Sequence, residues 1–366
     1  MNRHDELTRE SVAAIRRTLI ARPEPWVIGF SGGKDSSCVI KLVYRALLNL
    51  PQRKSEVTLL YCDTGVEIPP VRAFVWQTLT GLAIEAKRDG IPLNSRITMP
   101  PINDRFFFKI IGRGYVPPTT KFRWCTDRLR IQPVQSFLKS VRGEKKLVVL
   151  GLRKGESAER DKTIARHQTA ETSFSRQSGS VKTLIYSPIL EYSVDDVWNV
   201  LAANSTPTSI DSNRLLTLYR HANGECPMIR SPTSTPCAGS RFGCWTCTVV
   251  RRDRAMEGLI ESGYEILRPL LKFRNWLAEI RDYSRMRWAT RRNGGTGRGP
   301  FTVEARQEIL RRLLIVQKTV GFQLITDEET VAIRREWKAD RVLEASAFAR
   351  TRASSLKVKI RSAAKV

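Results

Sequence analysis

The residues Ser31-Gly32-Gly33-Lys34-Asp35-Ser36 constrain this chain more than any others. They follow an apolar run, Trp26 to Phe30, and lead into a helix-like segment, Cys38 to Leu50. Two adjacent glycines let the backbone turn with few steric limits, so amide groups and a helix N-terminus can face one negatively charged ligand. The expected ligand is a nucleotide. The spacing is neither Gly-x-x-x-x-Gly-Lys-Ser/Thr nor Gly-x-Gly-x-x-Gly, so the Walker loop and the dinucleotide fingerprint do not fit.

Such a loop needs a sheet to carry it. Apolar β-type runs recur at Trp26 to Phe30, Val57 to Tyr61, Leu147 to Leu152 and Thr183 to Tyr186, with helix-like stretches between several of them. This rhythm predicts an α/β fold with a doubly wound, mostly parallel sheet. Ligands in these sheets bind beyond the carboxyl ends of the strands. Asp63 and Glu67 follow the second run and are candidate contacts to a nucleotide or its metal. Arg153, Glu156 and Arg160 follow the third, where they either orient phosphate or hold the loop as an ion-pair network. After the fourth, Ser193 can cap a helix whose first turn carries Asp195 and Asp196. Val197, Trp198 and Leu201 in that helix read as core, and Val12, Ile15, Leu19 and Ile20 predict an earlier surface helix packed on it.

A chain of 366 residues with 41% hydrophobic content can bury such a core and leaves room for a further module. No stretch approaches the roughly 18 apolar residues that span a bilayer, and the start lacks a signal-peptide pattern, so a cytoplasmic protein without a membrane partner is expected. Lys and Arg number 62 against 36 Asp and Glu, a net charge of +26. Such a surface attracts polyanions, of which nucleic acid is the commonest, and the arginine share favours forked contacts to phosphate.

The seven cysteines are Cys38, Cys62, Cys125, Cys226, Cys237, Cys244 and Cys247. An odd number without an export signal argues against a disulfide framework. Cys244-Trp245-Thr246-Cys247 is a C-x-x-C step, a spacing that binds zinc or an iron–sulfur cluster. Cys237 supplies a third thiolate, and the remaining one comes from Cys226 or the distant Cys125. Lys121, Arg123, Arg128 and Arg130 flank Cys125 and can stabilise its thiolate or an incoming phosphate. Cys38 and Cys62 lie beside apolar sequence and read as small buried hydrophobes. His4, His167 and His221 lack a partner motif.

From about Arg220 the composition turns to Pro, Ser, Cys and Gly, and helical periodicity returns near Arg251. The expected organisation is an α/β domain over 1–220, a cysteine-rich module over 221–252 and a basic, mainly helical region over 253–366. Arg281, Arg285, Arg287, Arg291, Arg292 and Arg298 gather around the Gly-rich stretch Asn293 to Gly299.

Together these residues resemble the phosphoadenosine phosphosulfate reductase superfamily, which carries the Ser-Gly-Gly-x-Asp-Ser loop of ATP pyrophosphatases. The matching pieces are Ser31 to Ser36, Asp63-Thr64-Gly65-x-Glu67, Trp124-Cys125-Thr126 with Arg128 and Arg130, and the late C-x-x-C. Within it the chain is similar to the DndC-type sulfurtransferases of DNA phosphorothioation, in the Dnd and Ssp systems. That likeness rests on Gly151-Leu152-Arg153, Glu156-Ser157 and Arg160, on Cys226-Pro227, and on Cys237 followed by Arg241 to Thr248; it spans about Pro25 to Arg252.

The resemblance implies an adenine nucleotide alpha hydrolase-like fold that binds ATP and Mg²⁺ at Ser31, Gly32, Gly33, Lys34, Asp35 and Ser36, with Lys34, Asp35, Ser36 and Cys125 as catalytic candidates. It favours a [4Fe–4S] cluster over zinc at the cysteines. It implies adenylation of a DNA backbone phosphate, followed by insertion of sulfur delivered by a cysteine desulfurase. Implied partners are DNA and other phosphorothioation proteins, including DNA-binding or nicking and ATPase subunits. The competing readings are a sulfonucleotide reductase, a tRNA thiolase and a nucleic-acid-binding subunit without chemistry. Against the first stands a single Cys125 where an adjacent pair is expected, and against the second the missing paired C-x-x-C.

Overall fold

Trp26, Val27, Ile28 and Phe30 are all buried, so β1 (Trp26–Phe30) packs apolar side chains on both faces, as an interior parallel strand requires. In the computed structural model, which describes residues 3–48, 50, 56–156, 158–167, 169, 173–176, 183–203, 205–223, 242–293 and 295–341, β1 lies inside a six-stranded sheet. The other strands are β2 (Val57–Cys62), β3 (Leu93–Thr98), β4 (Lys146–Val149), β5 (Phe174–Arg176) and β6 (Thr183–Tyr186). Their order is β3-β2-β1-β4-β6-β5, and every neighbouring pair is parallel except β5 with β6.

The chain moves outward from β1 through β2 to β3, then returns to the other side of β1 as β4. Trp26 is in register with Val57 on one side and with Leu147 on the other. The winding direction therefore reverses between β1 and β4, and this reversal leaves a crevice at the carboxyl ends of the strands. It is the expected α/β architecture with a mostly parallel sheet.

Side-chain alternation divides the core between the faces of the sheet. Val27, Leu60 and Val148 pack with Leu138, Val134 and Phe137 of the helix Gln132–Ser140. The helix Lys34–Leu48 packs against the helices Arg3–Ala21 and Val194–Ala203, and it starts four residues before the expected Cys38. Val12, Ile15 and Leu19 are buried as expected, but Ile20 faces outward at 68% exposure. The Ser193 cap is present: Asp196 N–H donates to Ser193 Oγ at 3.0 Å, and Ser193 N–H donates to the Asp196 carboxylate at 2.8 Å. Val197, Trp198 and Leu201 are buried.

The chain forms two compact units. The first contains Met1–Met99, Arg130–Trp245 and Arg252–Arg268; the second contains Pro100–Leu129, Thr246–Arg251 and Pro269–Val366. The whole sheet is in the first. The stretches 1–220, 221–252 and 253–366 remain a division by composition and resemblance, since the units interleave along the chain. In the second unit Phe106 stacks on Trp124 and Phe107 meets Phe273 edge to face. The same unit buries Arg306, which donates to Gly112 O at 2.6 Å and pairs with Asp340 at 2.7 Å. No described helix is long and apolar enough to cross a membrane.

Candidate functional site

β1 ends at Phe30 and the next six residues close on themselves. Ser31 N–H donates to Ser36 Oγ at 3.2 Å, the two serine hydroxyls are 3.1 Å apart, and Ser36 Oγ donates to Gly33 O at 3.0 Å. Gly32 has φ +74°, and a Cβ there would sit 2.3 Å from Val75 Cγ2, so only glycine fits. The helix begins at Lys34, which directs its first amides and its positive end toward the crevice.

Asp35 is gripped from two sides. Lys34 Nζ donates to Oδ2 at 2.8 Å and Arg153 Nε donates to Oδ1 at 2.6 Å. Burial alone would raise this carboxyl, but Lys34 and Arg153 outweigh it and hold it below its ordinary value. Arg153 is itself buried, donates to Tyr192 O at 3.3 Å and approaches Glu156 at 3.9 Å. Gly151 makes this approach possible, because a Cβ there would lie 2.8 Å from the Asp35 carbonyl carbon and oxygen. β4 ends at Val149, earlier than the expected Leu152, and Gly151 and Arg153 belong to the exit that meets the loop.

A tyrosine that sequence reasoning passed over completes the loop. Lys34 N–H donates to Tyr219 Oη at 3.2 Å, and Lys34 Nζ stands 5.7 Å from the Tyr219 ring centroid. Phe242 and Trp198 meet that ring edge to face at 4.7 and 5.3 Å. Tyr219 is 185 residues from Lys34 in sequence, so no local pattern announces it.

The exit of β2 forms the neighbouring wall. Asp63 is fully buried with both oxygens occupied: Oδ1 accepts Gly65 N–H at 2.8 Å and Oδ2 accepts Arg72 Nη2 at 2.9 Å. Asp63 thus shapes the turn and holds Arg72. Glu67 Oε1 accepts Thr64 N–H at 2.9 Å and Thr64 Oγ1 at 2.5 Å, while Oε2 is buried with no hydrogen-bond partner among the described residues. Burial, and then the Asp63 carboxylate, push the Glu67 carboxyl up. Glu67 Oε2 is therefore the carboxylate oxygen in this wall that fits a cation.

Cys244 reaches the same wall. It forms an antiparallel bridge with Glu67, Trp245 N–H donates to Val66 O at 2.9 Å, and Cys244 Sγ lies 3.8 Å from Thr64 Oγ1. Cys38 is buried, and burial pushes its thiol up, in keeping with the packing role expected of it. Cys62 is only half-buried, at the end of β2, and burial raises its thiol to about 11.

The second unit carries Cys125 and Cys247. The flanking basic residues do not lower the Cys125 thiol: burial and then Cys247 push it up, and Arg128 is turned to Asp104 at 3.7 Å and Asp127 at 3.6 Å. Arg274 holds the Cys247 segment by donating to Cys247 O at 2.7 Å, to Arg251 O at 3.0 Å and to Val250 O. Among the described residues no group of three His, Cys, Asp or Glu side chains is placed to hold a metal ion. Cys226 and Cys237 lie outside the described residues, as does the side chain of Arg160. The described thiols alone do not make a cluster cradle.

Residues 25–250 match the phosphoadenosine phosphosulfate reductase domain family. Two uncharacterized proteins of Methanocaldococcus jannaschii, MJ0066 and MJ0973, are 25% and 23% identical over 203 and 207 residues, in each case 56% of this chain. The chain spans 36% and 43% of the length of these relatives. A phosphoadenylyl-sulfate reductase from Candida auris, solved as a phosphate complex, aligns at 13% identity and a TM-score of 0.36, covering 57% of this chain and 89% of that one.

Proposed function

The chain belongs to the phosphoadenosine phosphosulfate reductase domain family, and we propose that it uses ATP to insert sulfur into the DNA backbone. A phosphate oxygen is a poor leaving group until it is activated. A backbone oxygen attacks the α-phosphorus of ATP and releases pyrophosphate; sulfide, formed when a thiol reductant gives two electrons to the desulfurase-derived persulfide and is itself oxidised to a disulfide, then attacks the adenylated phosphorus, and the original oxygen departs with AMP.

One observation carries this reading. The Ser31–Ser36 loop follows β1 and Cys244 pairs with the turn after β2, so a nucleotide loop and a thiol meet the same carboxyl edge of adjacent parallel strands. The helix N-terminus at Lys34 and the Ser31 and Ser36 hydroxyls receive the phosphates, and Lys34 and Arg153 offset their charge. Glu67 Oε2 is the proposed contact to Mg²⁺, which when bound neutralises phosphate charge. Asp63 holds its turn and Arg72 in place. The net charge of +26 supports a polyanionic acceptor.

Cys237, Cys244 and Cys247, with either Cys226 or Cys125 as the fourth, are the proposed ligands of a [4Fe–4S] cluster, and a cysteine desulfurase is the proposed sulfur source. Iron and acid-labile sulfide in an anaerobic preparation support the cluster; stoichiometric zinc without iron overturns it.

The test of the function is mass spectrometry of nuclease-digested DNA from cells carrying the protein with its partner proteins. Phosphorothioate dinucleotides that vanish with Ser36→Ala are expected, and unmodified DNA beside thiolated tRNA overturns the reading. Membership of the family itself favours a second reading, a sulfonucleotide reductase. Thiol-dependent release of sulfite from phosphoadenosine phosphosulfate, with no pyrophosphate released from ATP, would establish that reading instead.

A further inference from the structure

Much of the arginine in the second unit has internal work. Arg287 donates to Gly299 O at 2.6 Å, Arg281 O at 2.8 Å and Arg298 O at 3.2 Å. Arg292 pairs with Asp340 at 2.6 Å and lies 5.3 Å from the Trp288 ring centroid. These contacts rivet a short antiparallel ribbon. Its rungs are Thr302 N–H to Met286 O at 2.9 Å, Trp288 N–H to Pro300 O at 2.9 Å and Gly299 N–H to Trp288 O at 2.9 Å, with a bridge between Arg287 and Phe301. Glycine is needed at 299, where a Cβ would sit 1.9 Å from Thr290 O.

The ribbon and its approach also present Arg285, Arg291 and Arg298, all exposed and none paired with a carboxylate among the described residues. Arg285 lies 5.5 Å from the Tyr283 ring centroid, and Arg298 donates only to a carbonyl, Asp282 O, at 2.6 Å. The carboxylates on this stretch are Glu279, which accepts the Tyr283 hydroxyl, and Asp282, which sits 3.6 Å from Arg281. A tight turn stands beside it in the same unit. Thr119 and Phe122 exchange N–H···O bonds of 3.2 Å, and Lys121, Phe122 and Arg123 are all exposed, Phe122 at 45% with its ring centroid 6.4 Å from that of Tyr115. Arg281 Nη1 donates to Pro118 O at 3.4 Å and joins the turn to the ribbon.

An exposed phenylalanine between two cations, beside a stiff ribbon of uncommitted arginines, has the chemistry of a strand platform. Bases stack on the ring, and the guanidinium forks take the backbone phosphates. We propose that this face binds a DNA strand with phosphates on Arg285, Arg291 and Arg298 and one unstacked base on Phe122. The assignment rests on the DNA reading above and gives it a docking surface.

The test is fluorescence anisotropy of the full chain with a short labelled single-stranded oligodeoxynucleotide, its duplex and a labelled tRNA, each over a salt series. Arg285→Gln/Arg291→Gln/Arg298→Gln is expected to weaken both DNAs and to reduce the slope of log K against log salt by about two to three. Phe122→Ala is expected to weaken the single strand about tenfold at unchanged slope, with the duplex nearly unaffected and Phe122→Tyr restoring affinity. Wild-type affinity and slope in the arginine variant overturn the proposal, as does equal loss of single strand and duplex in Phe122→Ala. Tighter binding of tRNA than of either DNA, lost in the same variants, overturns it as to partner. Phosphorothioate formed in cells by an arginine variant with full DNA affinity rejects this face and leaves the function standing. DNA held on this face by a wild type that forms no phosphorothioate does the reverse.

Discussion

Arg153 Nε donates to Asp35 Oδ1 at 2.6 Å, joining residues 118 apart in sequence where the sheet reverses its winding. Both groups are largely withdrawn from water, at 7% and 17% side-chain exposure, so removing one leaves the other's charge poorly compensated. Asp35→Asn should cost about 3 kcal/mol of stability at neutral pH. The Asp35 carboxyl is held below its ordinary value of 3.8, so its contribution is full above that pH and is lost as pH falls through the lower, folded value. Urea titrations should therefore show the gap between wild type and variant closing in acid, and Asp35→Asn/Arg153→Met should recover part of the loss at pH 7.

Gly151→Ala probes the same meeting of β4 exit and loop without touching charge. Its Cβ has no room 2.8 Å from the Asp35 carbonyl, and backbone rather than a flexible side chain would have to move. An overpacking cost of about 1–3 kcal/mol is expected, together with roughly tenfold weaker ATP binding by calorimetry. Full ATP affinity in a folded Gly151→Ala variant would show that loop and exit are not mechanically coupled.

Lys41 is a buried cation in the helix that follows the loop, with Nζ 3.5 Å from Leu201 O. Burial lowers it from 10.5 to about 8, so at pH 7 the folded state carries a penalised charge. Between about 8 and 10.5 the unfolded chain binds the extra proton, and wild-type stability rises with pH across that window. Lys41→Met should raise unfolding free energy by roughly 1–3 kcal/mol at pH 7, with the advantage fading by pH 10. Denaturant melts at the two pH values decide it.

Asp340 takes both Arg306 and Arg292 in the second unit, at 2.7 and 2.6 Å. Asp340→Asn leaves the fully buried Arg306 short of its counter-charge, at a cost of about 3–5 kcal/mol. Hydrogen exchange should quicken in the helix Val303–Val320 while β1 amides keep their protection. Uniform change across the chain would refute a local role.

The central strands were legible because Trp26–Phe30 and Val57–Cys62 are apolar on both faces. β3, Leu93–Thr98, was not: it lies at the edge, buries only Leu93, and its polar residues imitate a loop. β5 spans three residues and offers too little sequence for any period to emerge. The glycine loop and the cap at Ser193 were readable because each is a local device of turn and side chain. Tyr219, Arg72 and Arg274 were not, since each acquires its partners only through tertiary packing. Cys125 shows the opposite failure. Its basic neighbours in sequence suggested an activated thiolate, but proximity along the chain did not prevail over burial, and Arg128 turned to carboxylates.

The two units exchange the chain repeatedly, and the second is assembled from Pro100–Leu129, Thr246–Arg251 and Pro269–Val366. A ribosome delivers Cys125 and its surroundings long before the helix Val303–Val320, so Pro100–Leu129 must wait without its lasting neighbours. Closing such distant segments makes folding late and nonlocal. Truncation before Pro269 therefore cannot yield a finished second unit.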